Sequence, residues 1–90
     1  MKVIFFDWEV ACGLNSFMIN VGSMPSKEEA FEIIMNHSIE SNIDPYFSLW
    51  AIYWYDSSNP KEAFQFDKKF KEEKKSSVQE YYQKLINKNQ

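Results

Sequence analysis

Two carboxylates head the groups in this chain that could do chemistry. Asp7 and Glu9 stand one residue apart inside the apolar run "VIFFDWEV" (3–10), and on a β-strand that spacing sends both side chains to the same face. Carboxylates paired in this way can share divalent ions and support metal-assisted hydrolysis. His37 and Cys12 each occur once. A histidine near the C-terminus of a helix suits the helix dipole and needs no catalytic role. Cys12 has no second cysteine or nearby histidine to complete a nucleophilic, redox or zinc-binding set. The two glycines, Gly13 and Gly22, cannot make a phosphate-cradling loop.

The eight residues around Asp7 resemble the first motif of the DEDD exonucleases, an apolar strand bearing Asp-x-Glu, which implies that Asp7 and Glu9 would hold a metal pair. The resemblance stops there. Such enzymes carry further carboxylates and a His or Tyr base on a domain about twice this long, and nothing after Glu9 matches them. The "DWE" segment is therefore read as a strand with its polar residues facing solvent, and no catalytic residue, metal or cofactor is assigned.

A second cluster is basic. "KKFKEEKK" (68–75) contains Lys68, Lys69, Lys71, Lys74 and Lys75, and lysines beside an aromatic sheet face could steer and stack single-stranded nucleic acid. Against this, the chain has no Arg, two glutamates interrupt the run, and the sequence pI is about 5.1. Charge is uneven: residues 1–45 carry seven acids against Lys2 and Lys27, and residues 46–90 carry six acids against eight lysines. The acidic half places Glu28, Glu29, Glu32, Glu40 and Asp44 on or near one helix, where they could meet a basic partner surface in the manner of an inhibitor that occupies a phosphate channel.

These residues must be positioned by a small set of elements. "KVIFFDWEV" (2–10) and "SFMINVG" (16–22) read as strands, the second alternating Phe17, Ile19 and Val21, with Gly13 and Asn15 in the turn of a hairpin. Ser26 followed by Glu29 is a capping box that starts an amphipathic helix over 26–40. The aromatic run "YFSLWAIYWYD" (46–56) has the composition of a long central strand. On it Phe47, Leu49, Ala51, Tyr53 and Tyr55 would share one face, and Trp50, Ile52 and Trp54 the other. "KEAFQFDKKF" (61–70) is read as a strand over 62–70 on the period-two spacing of Phe64, Phe66 and Phe70, with a helix as the alternative because Phe66 and Phe70 also stand at i,i+4. Val78, Tyr81, Tyr82, Leu85 and Ile86 mark a second amphipathic helix, expected to be capped by Ser77. "PSKEEAFEIIMN" (25–36) aligns with "SSVQEYYQKLIN" (76–87) without a gap, which raises the possibility of a duplicated ββα unit.

The expectation is one α+β domain over 1–90: a two-layer sandwich in which a four-stranded, mainly antiparallel sheet carries two helices on one face, in the order ββαββα. With 44% hydrophobic residues it needs no metal or disulfide to fold, and one cysteine allows no internal disulfide, as suits a reducing compartment. "VIFF" is too short for a signal-peptide core, and the aromatic run is too short for a membrane span. A cytoplasmic location is expected. Helices on one face leave the other aromatic face exposed, so the function expected is a non-enzymatic protein-interaction module. Size and the Lys-only basic set suggest an accessory or inhibitory protein of a phage or mobile element. It would bind a partner or a second copy through Trp50, Ile52 and Trp54, with Glu28 and Glu32 contributing charge. The alternative is the nucleic-acid-binding module just described.

Overall fold

The computed structural model describes residues 1–8 and 16–89. Glu9, Cys12, Gly13 and Asn15, to which the metal motif, the lone thiol and the hairpin turn were assigned, lie outside the described residues. The elements run β1 (Lys2–Trp8), β2 (Ser16–Val21), α1 (Lys27–Glu40), α2 (Pro45–Ala51), β3 (Ile52–Asp56), α3 (Lys68–Glu73) and α4 (Lys75–Lys88). The class is α+β, with, among the described residues, a three-stranded antiparallel sheet in the order β2-β1-β3 and four helices. That replaces the expected four strands and two helices.

β1 is central because it pairs on both sides. Ile4, Phe6 and Trp8 alternate toward the helices, and register carries the same face outward through Ile19 and Phe17 on β2 and through Trp54 and Ile52 on β3. These side chains form one core with Ala30, Phe31, Ile34 and Met35 of α1, Leu49 of α2, Phe66, Phe70 of α3 and Val78 of α4. All four helices thus contribute to the same side of the sheet. Phe66 sits at the junction, tilted against Trp54 at 4.8 Å and stacked on Phe70 at 4.8 Å between ring centroids.

The first helix starts as the sequence indicates. Ser26 Oγ accepts from the Glu29 N–H at 3.2 Å, and Glu29 Oε1 accepts from the Ser26 N–H at 3.0 Å, which satisfies two otherwise orphaned donors. Its end is a Schellman turn: Asn42 adopts φ 57°, the Ile43 N–H donates to the Ser38 carbonyl, and the Asn42 N–H donates toward that of Ile39. The chain then turns back into α2, held close to α1 by a buried hydroxyl pair. Ser38 Oγ lies 2.6 Å from Ser48 Oγ and donates to the Ile34 carbonyl at 2.8 Å.

The aromatic run is not one strand. Asp44 accepts from the Tyr46 N–H at 2.8 Å and Pro45 takes the first helical turn, a pairing that starts helices because proline lacks the N–H that would go unbonded there. Residues 45–51 are therefore helical, and the strand begins only at Ile52. The segment expected to form a fourth strand over 62–70 reaches the sheet at one point, where Phe64 bridges to Trp54. Beyond it Asp67 accepts from the Phe70 N–H at 2.7 Å and caps α3. The last helix begins at Lys75 without a side-chain cap, and Ser77 lies inside its first turn. The second half therefore runs α-β-α-α, which removes the duplicated ββα unit. No described helix is long and apolar enough to cross a membrane.

Candidate functional site

The face of the sheet turned away from the helices is built by the alternate residues of the same strands. Val3, Phe5 and Asp7 of β1 face this side, register places Met18 beside Phe5, and Tyr55 and Tyr53 lie opposite Phe5 and Asp7. None of these side chains belongs to the core on the helix side. Phe5 and Tyr55 stack at 5.7 Å and 27°, and Tyr53 and Tyr55 stack at 6.1 Å and 19°. Met18 is 61% exposed, while the rings are half-buried against one another. Aromatic and apolar side chains thus form the middle of the face, register adds Asn20 opposite Val3 and Ser16 opposite Asp7, and Asp7 is its one carboxylate among the described residues. The Tyr55 hydroxyl donates to Asp7 Oδ2 at 2.9 Å, which raises the Tyr55 pKa because the bond holds the phenolic proton.

The expected assignment of faces is reversed. Trp54 is 1% and Ile52 2% exposed, so both belong to the core and neither can anchor a partner on the folded chain. Register forces this outcome: Trp54 stands opposite Phe6 and Ile52 opposite Trp8, so both join the face that Ile4, Phe6 and Trp8 turn to the helices, whereas Tyr53 and Tyr55 stand opposite Asp7 and Phe5. Burial of Trp54 has its own cost, since no described group accepts from the buried Nε1 of Trp8 or Trp54. Trp50 remains exposed at 48%, but on α2 rather than on the sheet, and Lys71 Nζ sits 4.5 Å from its ring centroid. Phe47 is exposed on the same helix, three residues before it.

The charged candidates lie in the helix layer and do not converge with the aromatic face. Glu28 pairs with Lys74, so α1 is tied to the start of α4. Glu32 is exposed on α1 and helps to raise the Tyr81 pKa, whose main cause is burial of the phenol. Of the five lysines, Lys71 covers Trp50, Lys74 also lies over the Phe31 and Phe70 rings, and Lys75 pairs with Glu72 at 2.9 Å. Lys68 and Lys69 are exposed on α3. The five lysines thus lie on α3, on α4 or at the junction between them, and none is on the strands that carry the stacked tyrosines.

His37, the remaining chemical candidate among the described residues, also has structural partners. His37 stacks on Phe17 at 3.8 Å and on Trp8 at 5.7 Å, and burial lowers its pKa against the opposing pull of Glu40. No group of three or more metal-ligating side chains occurs among the described residues. Sequence reasoning found the aromatic run but missed Phe5, Met18 and Asp7 as its neighbours. Comparison with protein-family models, with curated proteins and with solved structures finds no match to this chain.

Proposed function

We propose that this chain is a non-enzymatic, cytoplasmic protein-binding module that docks a partner protein on the sheet face formed by Phe5, Met18, Tyr53 and Tyr55. The carrying observation is that face itself: three stacked aromatic rings and a largely exposed methionine, with no described element packed over them. Contiguous apolar surface of this kind on a small protein marks an interaction site, and Tyr and Met are enriched where proteins bind one another. A single cysteine, incapable of an internal disulfide, fits a reducing compartment. The small size and Lys-only basic set fit an accessory or inhibitory protein of a mobile element.

The nucleic-acid reading has the aromatic platform but no basic cluster on it, since Lys68, Lys69 and Lys71 lie on α3, Lys75 on α4 and Lys74 at the junction between them. Stacking platforms for single strands work together with a positive groove that tracks the backbone, whereas this face holds a carboxylate.

Photo-crosslinking distinguishes these readings. A benzophenone side chain at Met18 should yield a discrete adduct with a different protein, while the same group at Glu80 on α4 should not. Equal adducts from both positions, adducts only with a second copy, or a salt-sensitive complex with single-stranded oligonucleotides would overturn the proposal.

A further inference from the structure

Among the described residues no cation pairs with Asp7. It is 9% exposed, and its one described side-chain partner is the neutral Tyr55 hydroxyl. Lys2, the basic residue on the same strand, turns to Asp56 instead, with Nζ 3.0 Å from Oδ2. None of residues 9–15 is basic. A carboxylate accepts about four hydrogen bonds, and one removed from water is ordinarily paired or fully hydrogen-bonded. Here the carboxylate stands at the edge of a row of π-faces, with Tyr53 directly opposite Asp7, Tyr55 bonded to it, and Phe5 next in the row.

Aromatic faces attract cations, and a carboxylate beside them adds direct charge pairing. A guanidinium satisfies both at once, because it is planar, stacks on rings, is weakly hydrated and presents paired donors to a carboxylate. We infer that Asp7, with the rings of Tyr53, Tyr55 and Phe5, forms the receiving site for an arginine side chain of the partner protein. This rests on the docking reading above and sharpens it. The chain contains no Arg, so a second copy cannot supply the guanidinium and the partner is a different protein, one whose contact surface sets an arginine among apolar side chains.

The test is NMR titration of the intact chain with N-acetyl-arginine amide. Saturable shifts confined to Asp7, Tyr53, Tyr55 and Phe5 are expected, with a millimolar Kd. The citrulline analogue, equal in shape but uncharged, should bind at least about tenfold more weakly. Asp7→Asn preserves an acceptor for Tyr55 and should lose affinity for the arginine probe to the same extent, while Tyr53→Leu, which leaves the carboxylate in place, should weaken it as well. Equal binding of citrulline, full affinity in Asp7→Asn, or tighter binding of lysine amide or tetramethylammonium would overturn the inference. If the Met18 crosslink persists while the arginine probe fails, the docking face stands and the arginine site falls; if both fail, both readings fall.

Discussion

Trp54 and Phe64 exchange both of their backbone hydrogen bonds, at 3.0 Å from the Trp54 N–H and 2.8 Å from the Phe64 N–H. One residue of an otherwise irregular segment thereby extends the sheet past β3, and its ring lies over Trp54 at 6.3 Å. The bridge holds the chain on its way to Phe66 and α3. Phe64→Ala keeps the bridge and removes a half-exposed ring, whereas Phe64→Pro also deletes the donor and leaves the Trp54 carbonyl without its partner. Proline should therefore cost about 1–3 kcal/mol more than alanine in urea denaturation. Equal stability of the two variants would mean that the bridge contributes nothing.

Capping residues give a second set of expectations. Ser26→Ala, Asp44→Ala and Asp67→Ala each remove a side chain that accepts from its helix's first turn, and each should lower stability by about 0.5–2 kcal/mol. Ser77→Ala removes no cap and should stay within about 0.5 kcal/mol of wild type. Asn42 holds φ 57°, so Asn42→Gly should be tolerated and Asn42→Val should destabilise the chain, because a β-branched side chain resists the left-handed region. A stability loss for Ser77→Ala matching that for Ser26→Ala would contradict the observed start of α4.

These caps also explain what the sequence reveals and what it conceals. Ser26 and Glu29 announce α1 because both partners of the box lie within four residues. Asp44-Pro45 is an equally local start signal, but next to the end of α1 it reads as a stop, and the aromatic residues after it favour a strand. Phe64, Phe66 and Phe70 fit two periodicities at once, and the Asp67 cap decides between them only when recognised. Which side of β3 is core has no local answer, since Trp54 and Tyr53 are both aromatic. The answer lies in pairing with β1, which sets Trp54 beside the core residue Phe6 and sets Tyr53 beside Asp7, 46 positions earlier in the chain. The aromatic run was therefore visible as part of a site, while the composition of the site's other half was not.

Substitutions on the two faces should separate stability from binding. Trp54→Ala empties the centre of the core beside Phe6, Phe64 and Phe66, and a loss of about 3–5 kcal/mol is enough to unfold a domain of this size. Ile52→Ala should cost about 2–5 kcal/mol. Tyr53→Ala and Met18→Glu, on the open face, should both leave a cooperative thermal transition and well-dispersed NMR spectra, and Tyr53→Ala should abolish the crosslink from position 18. An unfolded Met18→Glu variant, or a folded Trp54→Ala variant that loses only binding, would reverse the assignment of faces.

Protonation of His37 should weaken the fold. Its ring is packed on Phe17 and Trp8 with Ser41 Oγ 3.3 Å from Nε2, and burial holds the folded-state pKa below the ordinary 6.5, with Glu40 pulling the other way. A lowered histidine pKa means that the unfolded chain takes up the proton first as pH falls. Stability from this group is therefore complete above 6.5, declines as pH falls through 6.5 toward the folded-state pKa, and is level below it. The depressed carboxylates, Asp56 at about 2 among them, titrate below this window and leave the histidine step distinct. His37→Phe keeps a ring on Phe17 and removes the titration. Urea midpoints measured between about pH 8 and pH 5 should fall for the wild type and stay flat for His37→Phe. A parallel fall in both proteins would assign the pH dependence to other groups and detach His37 from it.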